Sequence, residues 1–101
     1  MTQQVLPEIE AIKSGAMERF DIAGRPVAIA NVDGRFYAFD DTCTHRGCSL
    51  AKGHLSGRTV TCQCHGSQFD VTSGRVLKGP AVQPVQTHPV KLQEGRVQVE
   101  I

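Results

Sequence analysis

The chain has 101 residues, a net charge of +1 and scattered Lys and Arg, which points to one small domain without the electrostatic footprint of a nucleic-acid binder. No apolar run reaches the length of a membrane span. Met1 to Glu10, acidic at Glu8 and Glu10 and broken by Pro7, lacks the basic and apolar stretches of a secretory signal, so a soluble cytoplasmic protein is expected.

Helical periodicity is almost absent, and a short helical turn is read only near Glu8 to Ser14. Met17 to Ala23, Pro26 to Asn31 and Arg35 to Phe39 read as strands, separated by Ala23-Gly24 and by the hairpin dipeptide Asp33-Gly34. Arg58 to Cys62, Gln68 to Thr72 and Gly74 to Leu77 form a second group, with Ser73-Gly74 as a turn. Val85 to Gln93 and Arg96 to Ile101 close the chain as a hairpin around Glu94-Gly95, alternating at Val97, Val99 and Ile101. The pattern predicts an all-β fold, a small antiparallel sandwich or barrel spanning 1–101 as a single domain. With four Phe, one Tyr and no Trp its core is modest, and folds of this size often carry a metal or a disulfide as a staple. Every cysteine lies between Cys43 and Cys64, so the site sits on loops inserted in the sheet scaffold, in a subdomain at about 40–81.

Cys43-Thr44-His45 and Cys62-Gln63-Cys64-His65 each offer one thiolate and one imidazole at close spacing. Cys62 to His65 is one residue too short for covalent haem attachment, and Cys62 and Cys64 lack the two-residue spacer of a thioredoxin-type pair. Structural zinc accepts two Cys and two His, although its common spacings join like with like. A binuclear iron–sulfur cluster with one iron on two Cys and the other on two His suits the mixed pairs. The residues alone leave both metals open.

The stretch Cys43-Thr44-His45-Arg46-Gly47-Cys48 with Cys62-Gln63-Cys64-His65-Gly66-Ser67 resembles the two cluster-binding loops of the Rieske family, Cys-x-His followed by Cys-x-x-His. Val32-Asp33-Gly34, Phe36-Tyr37-Ala38, Gly66 and Gly79-Pro80 extend the resemblance over most of the chain. It implies one [2Fe-2S] cluster, with Cys43 and Cys62 on the buried iron and His45 and His65 on the outer iron near the surface. Two neutral imidazoles in place of two thiolates make the cluster less negative, and Rieske potentials accordingly lie at about −150 to +300 mV, against about −400 mV for plant-type ferredoxins. The potential is expected to fall with pH once the paired imidazoles lose protons.

The same resemblance implies a disulfide between Cys48 and Cys64, as in Rieske proteins of quinol-oxidising complexes; two reduced thiols are the alternative that a cytoplasmic setting favours. Ser67 occupies the position of a hydroxyl donor to cluster sulfur, with a simple turn residue after Gly66 as the alternative, and Phe69 stands where those relatives carry a Tyr. A potential between those of oxygenase ferredoxins and respiratory Rieske proteins follows. Gly79 and Pro80 are expected in a loop over the cluster or in a simple turn. Arg46 and Lys78 read as rim or solvated charges, and His54 and His88 as surface histidines. No catalytic triad, carboxylate pair or phosphate loop is present, so no catalytic residue is assigned.

The resemblance implies a monomeric ferredoxin, an electron-transfer component and not itself an enzyme. It would take single electrons from a flavin-dependent reductase and deliver them to a terminal oxygenase or other oxidoreductase through transient contacts. A tightly bound small iron–sulfur subunit, similar to that of nitrite reductase, is the alternative. A zinc-stabilised interaction module is the third reading.

Overall fold

The structure, a computed structural model, describes residues 3–5, 12–44, 47–64, 66–93 and 96–100. Its strands are Gln3–Val5 (β1), Met17–Ile22 (β2), Arg25–Val32 (β3), Arg35–Asp40 (β4), His54–Ser56 (β5), Thr59–Thr61 (β6), Gln68–Asp70 (β7), Val76–Lys78 (β8), Thr87–His88 (β9), Val90–Gln93 (β10) and Arg96–Glu100 (β11). They form three antiparallel sheets with strand orders β1-β11-β10, β2-β3-β4-β9 and β5-β6-β7-β8. A 3-10 turn at Leu50–Lys52 is the one departure from an all-β architecture among the described residues.

Strand alternation on β3 divides the interior in two. Val27 and Ile29 join Ile12, Ile22, Ala38 and Val99 in one buried cluster. Ala28 and Ala30, on the other face, join Phe39, Leu50, Val60, Phe69 and Val71 in a second. The β2-β3-β4-β9 sheet is therefore the middle layer, covered on both faces, and the second cluster is the floor on which the cysteine loops rest.

The β3–β4 hairpin forms as its dipeptide predicts, with Asp33 at φ 52° and Gly34 at φ 90°. Asn31 reinforces it. Its side-chain oxygen accepts the Gly34 amide at 2.8 Å, while its side-chain nitrogen donates to the Ile12 carbonyl at 2.7 Å.

The stretch Val85 to Gln93, read from sequence as one strand, is two. Pro89 lies between β9 and β10, which belong to different sheets, because proline cannot donate a ladder hydrogen bond. The hairpin β5–β6, turning at Gly57 with φ 58°, and the pairing of β1 with β11 were not anticipated. Most of the helical turn read near Glu8 to Ser14, the Glu94-Gly95 turn and Ile101 lie outside the described residues.

The chain leaves the central sheet after Asp40 and returns at Gln86, and these two points touch: the Asp40 amide donates to the Gln86 carbonyl at 2.8 Å. Arg25 brackets both. Its Nε and Nη2 each reach an Asp40 carboxylate oxygen at 3.0 Å, and Nη2 also donates to Gln86 Oε1 at 2.9 Å. His88 Nε2 lies 2.8 Å from Asp40 Oδ1; the carboxylate only accepts, so the ring nitrogen carries the hydrogen. Reading His88 as a surface histidine was wrong. It is buried on β9, opposite Ala38, and held there by Asp40. Burial pushes the Asp40 carboxyl up, but hydrogen bonds and charge from Arg25 and His88 more than reverse this and hold it below the ordinary carboxylate range. Among the described residues, no helix is long and apolar enough to cross a membrane.

Candidate metal centre

Two short loops carry the cysteines, and both are built on one hydrogen-bond frame. In the first, the Cys43 amide donates to the Cys48 carbonyl and the Gly47 amide to the Cys43 carbonyl, each at 2.8 Å. In the second, the Cys62 amide donates to the Ser67 carbonyl at 2.8 Å and the Gly66 amide to the Cys62 carbonyl at 3.1 Å. Gly47 and Gly66 occupy the same place in the frame, at φ 77° and 78° respectively. A side chain there would be strained, which explains a glycine four residues after each cysteine.

The frame aims Cys43 and Cys62 inward. Both are 2% exposed, both lie outside the disulfide, and both belong to the cluster of Phe39, Leu50, Val60 and Phe69. Cys48 and Cys64 form a disulfide across the two loops, with Cα atoms 6.5 Å apart. The sulfurs of Cys48, Cys62 and Cys64 all lie within 4.8 Å of one another. His45, Arg46 and His65 lie outside the described residues.

Three partners secure the root of the first loop through Asp41, which the sequence reading did not single out. This buried carboxylate accepts the Ser49 hydroxyl at 2.6 Å and the Ala51 amide at 2.8 Å, and Arg19 Nε stands 3.6 Å away. Its backbone carbonyl accepts the Leu50 amide at 2.7 Å. A buried carboxylate is stable only with such partners, and these fix the chain on both sides of Cys43. The sequence signal is no more than an acidic residue beside the cysteine, and its partners come from outside the local spacing.

A third segment, after the cis Gly79–Pro80 peptide, is tied to both loops. The Ala81 amide donates to Ser67 Oγ at 3.0 Å, and Thr44 Oγ1 donates to the Gln83 carbonyl at 2.7 Å. Val82 between them is 83% exposed, and Leu77 and Lys78 on β8 are exposed too. Phe69 is fully buried and packs as a core residue. Thr44, Ala81 and Gln83 are further residues that sequence spacing gave no means to find.

The residues fit a sulfur-bridged iron centre on two counts. Cys43 and Cys62 offer soft thiolate donors in an apolar setting. Ser67 is completely buried, its oxygen accepts from the Ala81 amide, and its hydroxyl carries one hydrogen to donate. A buried hydroxyl at the end of the second loop is a suitable hydrogen-bond donor to a cluster sulfur.

The profile of the Rieske [2Fe-2S] domain matches residues 2–89. The ferredoxin component of the Pseudomonas aeruginosa naphthalene 1,2-dioxygenase system is 36% identical over 90 residues, covering 89% of this chain and 86% of that protein. The ferredoxin component of Rhodococcus jostii (strain RHA1) biphenyl 2,3-dioxygenase is 37% identical over 87 residues, covering 86% and 81% of the two chains. Among solved structures, a chain of a complex of reduced oxygenase and oxidised ferredoxin in carbazole 1,9a-dioxygenase superposes with a TM-score of 0.91 at 32% identity, covering 97% of this chain and 92% of that one. The Sphingomonas yanoikuyae B1 ferredoxin gives 0.89 at 28% identity, with 99% of each chain covered. The chain belongs to the Rieske [2Fe-2S] family, and its cofactor is a Rieske-type [2Fe-2S] cluster.

Proposed function

We propose that this protein is the ferredoxin of an oxygenase system, carrying single electrons from a flavin-dependent reductase to a terminal oxygenase in the cytoplasm. Cys43 and Cys62 hold the inner iron, and His45 and His65 hold the outer iron at the contact surface. The observation that carries this reading is the shared frame of the two loops, which sends Cys43 and Cys62 into one apolar floor; in the sequence each histidine stands between its cysteine and the frame glycine. The curated relatives named as ferredoxin components of dioxygenase systems support the choice of acceptor.

The bound cluster supplies reversible one-electron uptake without bond making. The chain's own residues shape that exchange. The apolar floor excludes water behind the thiolates, Ser67 offers a hydrogen bond toward the site, and the disulfide holds the loops at fixed separation. Residues 40–81 are read as the cluster-binding part of one domain spanning 1–101, which accords with the contact of Asp40 and Gln86 at its root.

The test is reconstitution. Iron and sulfide analysis, an electron paramagnetic resonance signal on reduction, and electron delivery from a flavin reductase to an aromatic-ring oxygenase are the expected results. Zinc in place of iron, or a reduced protein that gives no electrons to any such oxygenase, would overturn the reading.

A further inference from the structure

Cys62, a core thiol, stands beside the one disulfide of the described residues, with all three sulfurs within 4.8 Å of one another. Cys43, the other core thiol, is not in this group. A thiolate this close to a disulfide is placed for exchange, which needs no external oxidant. We propose that Cys48, Cys62 and Cys64 form an internal thiol–disulfide exchange site that operates when the cluster is absent.

The reaction balances within the chain. The Cys62 thiolate attacks Cys48 Sγ, a Cys48–Cys62 bond forms, the Cys48–Cys64 bond breaks, and Cys64 leaves as a thiolate. Nothing is oxidised or reduced overall. The direction follows from burial: Cys62 is buried, Cys48 half-buried and Cys64 exposed, so the sulfur released is the one that water can solvate. Cys48 remains tied to the second loop, now through Cys62. One sulfur needed for iron is then locked in a disulfide, and a thiol appears at the surface. Exchange in the opposite sense restores the loading-competent form. This consequence rests on Cys62 being a cluster ligand, as proposed above; the exchange itself does not.

The experiment compares the full chain as isolated with cluster and the same chain stripped of iron by a chelator under argon. Both are denatured in acid, alkylated and peptide-mapped by mass spectrometry. In the loaded sample the expected products are a Cys48–Cys64 link with Cys43 and Cys62 alkylated. In the stripped sample they are a Cys48–Cys62 link with Cys43 and Cys64 alkylated. Persistence of Cys48–Cys64 as the sole link in the stripped chain overturns the exchange and leaves the ligand assignment standing. A mixture that includes Cys43 links also overturns it, because that is the product of general unfolding. A Cys48–Cys62 link in both samples overturns the proposal, since iron removal then changes no bond, and overturns Cys62 as a ligand with it. Cys64→Ser supplies a second measurement: iron removal then leaves Cys48 and Cys62 both alkylated, since no disulfide remains to exchange.

Discussion

The Ala81 amide donates to Ser67 Oγ at 3.0 Å, so the segment after Gly79–Pro80 hangs on a hydroxyl at the end of the second cysteine loop. That hydroxyl accepts from Ala81 and, on the function proposed above, gives its hydrogen toward the cluster. Ser67→Ala removes both. The buried Ala81 amide is left without its acceptor, which costs about 1–3 kcal/mol. The midpoint potential is expected to fall because the reduced, more negative cluster loses a donor. Redox titration beside thermal unfolding checks both effects, and an unchanged potential would show that Ser67 points its hydrogen elsewhere.

Replacing Cys48 and Cys64 together by Ser leaves Cys43 and Cys62 in place, so iron loading is expected at first. The cluster is then expected to bleach several times faster in air, because the loops lose the one covalent link between them besides the cluster itself. In the metal-free chain the bond closes a loop with a sequence separation of 16, worth about 3 kcal/mol on the entropic account. Iron already pins both loops in the loaded protein, so the loss of melting temperature there should be smaller. The decay of visible absorbance reads the first effect; an unchanged lifetime would count against a shielding role.

The Asp40 carboxyl sits below the ordinary carboxylate range in the folded protein. Its contribution to stability is therefore complete at neutral pH and is lost as pH falls through its depressed folded value. Asp40→Asn is expected to cost about 1–2 kcal/mol at pH 7, a modest figure because Arg25 is partly exposed. At a pH below the folded value the difference from the parent protein disappears. Urea unfolding of both proteins at neutral and strongly acidic pH measures it, and an equal gap at both would remove Asp40 ionisation from the explanation.

Gly53 faces the Thr61 carbonyl oxygen so closely that a Cβ would collide with backbone, although its φ of −84° suits any residue. Gly53→Ala must push β6 away just before Cys62. A loss of about 1–3 kcal/mol and lower iron occupancy are expected, measured by melting and iron analysis.

What the sequence disclosed was local. Asp33-Gly34 announces its hairpin because the turn chemistry lies within the dipeptide. The cysteine pairs announce a metal because each loop carries its ligand types within a few residues. Long-range partners stayed hidden. His88 reads as an isolated polar residue until Asp40, 48 positions away, supplies its hydrogen-bond partner. Likewise, Thr44 meets the Gln83 carbonyl only because the segment beyond Pro80 returns over the first loop. Val85 to Gln93 misled for a different reason: the apolar run is real, but Pro89 passes it from one sheet to another. Short β5, with Leu55 as its one large apolar residue, offers too little alternation to be recognised.

The meeting of Asp40 and Gln86 has a consequence for how such a protein can be remade. Everything from Asp41 to Val85 enters and leaves the central sheet across one backbone hydrogen bond of 2.8 Å. A segment with adjoining ends asks its host for neighbouring antiparallel strands, a bracket such as Arg25 and an apolar face like that of Ala28, Ala30 and Phe39. The redox part of this molecule is thus suited to grafting into another β scaffold, with Arg25, Asp40, Gln86 and His88 as the joint to carry across.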